Sequence, residues 1–108
     1  MVKQGDIIAI DLDPTKGHEQ AGYRPVVVVS NAEQAQDSNL MLVCPITNTD
    51  RKSPLHVAVK AGAATGFVMC DNIRAVDLSN RKYKMVDTLE HSALWDVCDI
   101  IKGAVTIL

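Results

Sequence analysis

Residues 25–30 read Pro25-Val26-Val27-Val28-Val29-Ser30, four β-branched side chains in a row behind a proline. Valine carries two heavy atoms on Cβ, loses side-chain freedom in a helix and packs well on a pleated surface. The run shows no polar alternation, so it predicts a central strand buried on both faces. Pro25 has no N–H to give a ladder and suits the strand's start. Such a strand needs neighbours, and the chain supplies them. Gly5-Asp6-Ile7-Ile8-Ala9-Ile10-Asp11-Leu12 precedes it and stops at Asp13-Pro14. Leu40 to Thr47 follows it, with Pro45 near the end. His56 to Lys60 alternates as a strand should, and Phe67 to Val76 is a further strand, bent where Cys70-Asp71-Asn72 interrupts the pattern. Turn-forming composition separates these runs: a polar loop or short helical turn over 31–39, a turn over 48–54, a break over 61–66 and a basic loop over 79–84.

The period changes near the end. Asp87-Thr88-Leu89-Glu90 looks like a capping box, in which Asp87 accepts an orphan amide and Glu90 reaches back. Leu89, Ala93, Leu94, Val97, Ile100, Ile101 and Ala104 then recur at helical spacing. Five short strands and one terminal helix predict an α+β, mainly-β fold. The expected architecture is a strongly bent antiparallel sheet or partial barrel with the helix packed on it. At 108 residues and 47% hydrophobic, residues 1–108 read as one domain able to bury a core without staples.

Composition narrows the function. No apolar run approaches the roughly 18 residues of a membrane span, and the start turns polar at once, so neither a membrane nor secretion is expected. Cys44, Cys70 and Cys98 are odd in number, widely spaced and flanked by apolar residues. They read as buried free thiols in a reducing cytoplasm. Of these, Cys70 beside Asp71 reads as core rather than nucleophile. His18, His56 and His91 show no metal-ligand spacing, so no metal site is expected, and His56 reads as a structural strand residue. Trp95 on the helix reads as a packing or dimer residue. Phosphate loops, nucleophile elbows and CxxC pairs are absent. Four scattered aromatics, Tyr23, Phe67, Tyr83 and Trp95, do not make a base-stacking sheet or a peptide groove.

Net charge is −2, which on its face argues against a polyanion. The distribution argues otherwise. Residues 1–50 carry three basic and seven acidic side chains, 51–84 seven and two, and 85–108 one and four. Binding a phosphate backbone needs only a local positive face. Arg81-Lys82-Tyr83-Lys84 reads either as such a contact or as a solvated turn. Within residues 17–25, Gly-His-Glu-Gln-Ala-Gly-Tyr-Arg-Pro, two glycines bracket His18, Glu19 and Gln20, and Arg24 enters the strand. His18 and Glu19 can move protons near neutral pH, and Arg24 forks to a phosphate. On chemistry alone the segment reads equally as solvated surface.

The run from Asp11 to Ser30 resembles the N-terminal signature of the MazF/PemK (Kid) toxin family. Pro45-Ile46-Thr47 resembles its second motif, and Gly66-Phe67-Val68-Met69-Cys70-Asp71-Asn72-Ile73-Arg74-Ala75-Val76-Asp77 its third. The resemblance implies an SH3-like small barrel with a C-terminal helix and a homodimer. It implies an endoribonuclease that cuts single-stranded RNA without metal or cofactor and is restrained by a cognate antitoxin. A ribose 2′-hydroxyl would attack the neighbouring phosphorus, leaving a cyclic phosphate. Arg24 then supplies charge to the transition state, Thr47 holds the phosphate, and His18, Glu19 and Asp71 are the candidate proton-transfer groups. Gln20, Asn72, Arg81, Lys82 and Lys84 are the expected RNA contacts. The sequence departs from the PemK-like branch at Met69, where that branch has arginine, and at Asn72, where many relatives have glutamine. The rival reading on the same fold is a non-catalytic, CcdB-like toxin that binds a protein target such as DNA gyrase and needs neither Arg24 nor Thr47.

Overall fold

The structure is a computed structural model that describes residues 2–11, 23–35 and 39–108. In chain order it runs β1 (Asp6–Ile10), β2 (Arg24–Val28), α1 (Ala32–Ala35), β3 (Leu40–Thr47), β4 (His56–Val59), β5 (Gly66–Met69), β6 (Arg74–Asp77), β7 (Tyr83–Thr88) and α2 (His91–Ala104). All pairings are antiparallel and follow the order β4-β5-β3-β2-β1-β7, with β6 also on β3. The α+β, mainly-β class therefore holds, but the sheet is open rather than a closed barrel.

The valine run is the centre of the sheet. Val26, Val27 and Val28 have no exposed surface and are flanked by β1 on one side and β3 on the other. Their side chains alternate between two cores, as strand geometry requires. Val27 packs with Ile7, Cys44, Ile46, Val68 and the buried face of α2 around Val97. Val26 and Val28 pack with Ile8, Ile10, Val43, Val76 and Leu78. Full burial of one such side chain contributes roughly 1.5–3 kcal/mol, so this strand alone outweighs any surface ion pair in the molecule.

β3 does three jobs. It pairs β2 through Val43–Pro45, β6 through Leu40–Val43, and β5 through Ile46 and Thr47. The break between β6 and β5 falls at Cys44 and Pro45, and Pro45 has no N–H to offer a partner. The expected single strand from Phe67 to Val76 is thus two strands, split by a 3-10 turn over Cys70–Asn72. Cys70 points into the core, while Asp71 and Asn72 are exposed.

Two expectations fail at the other edge. The basic loop ends at Lys82, because Tyr83–Thr88 is a strand on β1, with a bulge between Ile7 and Ile8. It is an edge strand with only Val86 half-buried, so no hydrophobic alternation announces it. The capping box does not form. Asp87 is still in β7 and accepts from the Thr88 N–H at 2.7 Å, while Glu90 is the N-cap of α2 and makes no side-chain cap. The helical stripe otherwise lies on the core, with Ala93, Leu94, Val97, Ile100 and Ile101 inward and Ala104 exposed. Trp95 is 58% exposed. No helix among the described residues is long and apolar enough to cross a membrane.

The three cysteines are free thiols. Burial pushes Cys44 up from 9.0 to about 12 and Cys70 to about 11, so both are neutral at pH 8. The raised values set the sign of the linkage. Their contribution to stability is complete below about pH 9 and is lost as the pH climbs towards 11–12, because the unfolded thiols ionise first. Native protein at pH 8 should therefore resist alkylation at Cys44 and Cys70, and mass spectrometry reads this directly. Rapid labelling of Cys44 in folded protein would contradict a buried position in the core.

Gly66 generates a second prediction. A Cβ built there would collide with the Thr47 carbonyl oxygen and press Ile46 Cγ2 at 3.1 Å, since β5 lies directly on the end of β3. Gly66→Ala should cost about 1–3 kcal/mol, the range for an overpacked site, measured by denaturant unfolding. An unchanged midpoint would show that β5 can move away from Thr47 freely.

Candidate active site

The β2–β3 register places the first two motifs together. Val26 pairs Pro45 and Val27 pairs Cys44. Continuing that register outward by two residues brings Arg24, at the start of β2, across from Thr47, at the end of β3. Arg24 and Thr47 line one groove of about 520 Å3 with Pro25, Asn48, Arg51, Thr65 and Met69. Pro45, Ile46 and Ala64 complete the lining, so two arginines, two threonines and an asparagine stand beside apolar side chains, which suits an anion with an apolar neighbour.

Each polar group has a local reason for its position. Arg24 is exposed, and Pro25 behind it favours extended backbone at Arg24. Its Cα partner on the other side is Ile10 of β1. Thr47 is half-buried, and its Oγ1 accepts from the Thr49 N–H at 3.2 Å. The hydroxyl proton remains for another acceptor. Arg51 stands in the turn after β3. There Asp50 accepts from the Lys52 N–H at 2.9 Å and faces Lys52 Nζ at 3.4 Å. The Lys52 N–H bond is the main reason the Asp50 carboxyl lies below its ordinary value. Lys52 adopts a left-handed φ of 56°, which turns it back onto Asp50. Asp50 is thereby engaged by Lys52, and among the described residues neither Arg24 nor Arg51 forms an ion pair.

Asp71 sits in the 3-10 turn between β5 and β6. Its Oδ1 faces His56 Nε2 at 3.0 Å and accepts from Asn72 Nδ2 at 3.4 Å. Asn72 Nδ2 also lies 3.7 Å from Met69 Sδ, which links the turn to the groove wall. The remaining expected RNA contacts are not gathered here. Arg81 is half-buried and donates to the Asp11 carbonyl, a bond that ties β7's approach to the end of β1. Lys82 and Lys84 are exposed, and Lys84 on β7 pairs Ala9 of β1. Lys52 is engaged by Asp50, and Arg81 by the Asp11 carbonyl. His18, Glu19 and Gln20 lie outside the described residues. Among the described residues no group of three or more His, Cys, Asp or Glu side chains is placed to hold a metal ion.

Two groups are not assigned to a site by sequence. Arg51 is visible only as part of a basic stretch, because nothing in a turn's sequence says which side chain faces the groove. His56 reads as structural. Yet the β4–β5 register pairs His56 with Met69, two residues before Asp71, and that register carries the signal.

Comparison with known proteins matches this arrangement to a family. The family model described as "PemK-like, MazF-like toxin of type II toxin-antitoxin system" matches residues 3–104. The endoribonuclease toxin MazF of Escherichia coli K12 is 35% identical over 72 residues, which is 67% of this chain and 65% of that protein. The chain thus aligns with just under two thirds of that relative's length. The endoribonuclease PemK of Escherichia coli is 33% identical over 101 residues, 89% of this chain and 76% of that one. A crystal structure of MazF from Deinococcus radiodurans superposes with a TM-score of 0.83 at 26% identity, covering 98% of this chain and 97% of that one. The chain belongs to the PemK-like, MazF-like family of type II toxins.

Proposed function

We propose that the protein is a toxin endoribonuclease that cleaves single-stranded RNA by internal attack of a ribose 2′-hydroxyl. The observation that carries the reading is the shared groove of Arg24 and Thr47, residues from two separate motifs. Such a reaction gathers negative charge on the phosphate oxygens and moves two protons. A preorganised guanidinium and a hydroxyl donor answer the first need. Arg24 meets the developing charge, Thr47 donates to a phosphate oxygen, and Arg51 holds the adjoining backbone. Arg51 also restores a second cation to a groove in which Met69 stands where the PemK-like branch has arginine. Asp71, His18 and Glu19 are the proton-transfer groups of this reading, and Gln20, Asn72, Lys82 and Lys84 its outer RNA contacts. Arg81 serves mainly to anchor β1, given its bond to Asp11. The names of the MazF and PemK relatives support the activity. The CcdB-like rival has no use for the Arg24–Thr47 groove.

The rest of the reading concerns context. Residues 1–108 act as one toxin domain, with a cognate antitoxin as protein partner, as the family description suggests. The protein is a homodimer. α2 leaves Trp95 exposed beside Leu94 and Cys98, with Gln4 and His91 lining the same groove, a mixed face that a second copy would cover. Three free thiols agree with a cytoplasmic location.

A mixed pool of single-stranded RNA, incubated with the protein in chelator, tests the reaction. Cleavage should leave a 2′,3′-cyclic phosphate and a free 5′-hydroxyl. Arg24→Ala should lower kcat by about 10²–10³, the loss for one missing transition-state donor, with unfolding unchanged. Arg51→Ala should weaken binding and flatten the log–log salt dependence by about 0.7, the value for one phosphate contact on a single strand. Wild-type protein that cleaves no RNA would overturn the nuclease reading. Full activity in Arg24→Ala would move the catalytic charge elsewhere.

A further inference from the structure

We propose that His56 is a positioning residue for Asp71: it clamps one carboxylate oxygen from below and leaves the other to do the chemistry. The proposal rests on the nuclease reading, in which Asp71 transfers a proton. The geometry distinguishes the two oxygens. Oδ1 faces His56 Nε2 at 3.0 Å and Asn72 Nδ2 at 3.4 Å. Among the described residues no donor reaches Oδ2. The His56 side chain is 6% exposed and that of Asp71 41%, so the pair runs from the interior to the surface. One lone-pair set is held by protein, and the other is open to a ribose hydroxyl.

The ring itself argues against a purely packing role. A carboxylate oxygen accepts only, so the bridging proton sits on Nε2. Nδ1 is buried and has no hydrogen-bond partner among the described residues. An orphaned polar atom in an apolar place costs free energy that leucine or phenylalanine would not incur there. What offsets that cost is the Nε2 hydrogen bond to Asp71. The main chain reinforces it: the Cys70 N–H donates to the Leu55 carbonyl at 3.1 Å, so the turn is pinned at residues adjacent to both partners. The carboxylate is therefore aimed before substrate arrives, which removes an ordering step from the reaction.

Steady-state RNA cleavage by His56→Phe, His56→Gln, Asp71→Asn and His56→Phe/Asp71→Asn tests the proposal. Loss of aim should lower kcat of His56→Phe by about 100-fold with KM within about threefold, the scale of a misplaced reacting group. Gln can offer a side-chain N–H to Oδ1, so His56→Gln should recover much of the lost kcat. Adding His56→Phe to Asp71→Asn should cost nothing further, since the partner is already gone. An unchanged kcat in His56→Phe, no rescue by Gln, or full additivity in the double variant would overturn the proposal. If His56→Phe does not fold, ring 15N shifts decide. A proton fixed on Nε2 in wild type and released to both tautomers in Asp71→Asn supports the clamp, whereas identical tautomers in the two overturn it. Wild type without any cleavage is a different outcome and removes the nuclease reading itself.

Discussion

The pairing of β2 with β3 is the constraint on which the rest depends. Val26 and Val28 serve one core and Val27 the other. Because the valines are interchangeable, the register is set by what flanks them: exposed Arg24 and Pro25 at one end, and Ser30, whose hydroxyl accepts from the Leu42 N–H at 3.0 Å, at the other. Once that register holds, Arg24 and Thr47 face each other across the sheet's end without any contact of their own being required. β3 then passes the constraint to β5, because Thr47 also pairs Phe67. The close approach of Gly66 to Thr47 keeps that second register tight. Through β5 the constraint reaches β4 and the turn that carries Asp71.

The elements most legible in the sequence are those with the strongest burial. The valine run and the strand before it announce themselves by their nearly unbroken apolar composition, and the helical stripe from Leu89 to Ile101 by its period. β7 does not, because its side chains are mostly exposed and its stability comes from backbone pairing to β1 and not from an apolar face. The capping box misleads for a related reason. Asp87-Thr88-Leu89-Glu90 has the right residues, but a strand carries Asp87 past the point where a helix could begin. The split of Phe67–Val76 is legible as a bend only. What converts a bend into a 3-10 turn is the gap on β3 at Cys44 and Pro45, a fact about a partner strand that local sequence does not contain.

The charge distribution shows the same limit. A net value of −2 says nothing about where a guanidinium points. The seven basic side chains of residues 51–84 look like a patch in sequence, but three of them have different partners or settings in the fold. Lys52 is drawn to Asp50 and Arg81 to a main-chain carbonyl. Arg51 and Arg24 are what the groove retains, and they come from opposite sides of the charge boundary at residue 50. Two cations facing one groove act over a few ångströms, well inside the screening length of about 8–10 Å. Acidic residues elsewhere on a small protein are screened from it. Local geometry therefore decides the sign of the surface that RNA would meet.

The described part of the site is fixed by the sheet. Arg24, Thr47 and Asp71 are set by register and by a pinned turn. His18, Glu19 and Gln20 belong to the segment that leaves β1 and re-enters at Arg24. Its two ends are held close, by the Ile10–Arg24 pairing and by Arg81 on the Asp11 carbonyl. Charge stabilisation needs rigid donors. Arg24 and Thr47 stand at the ends of paired strands whose neighbouring side chains are buried on both faces, so their spacing is held by the sheet and not by contacts of their own.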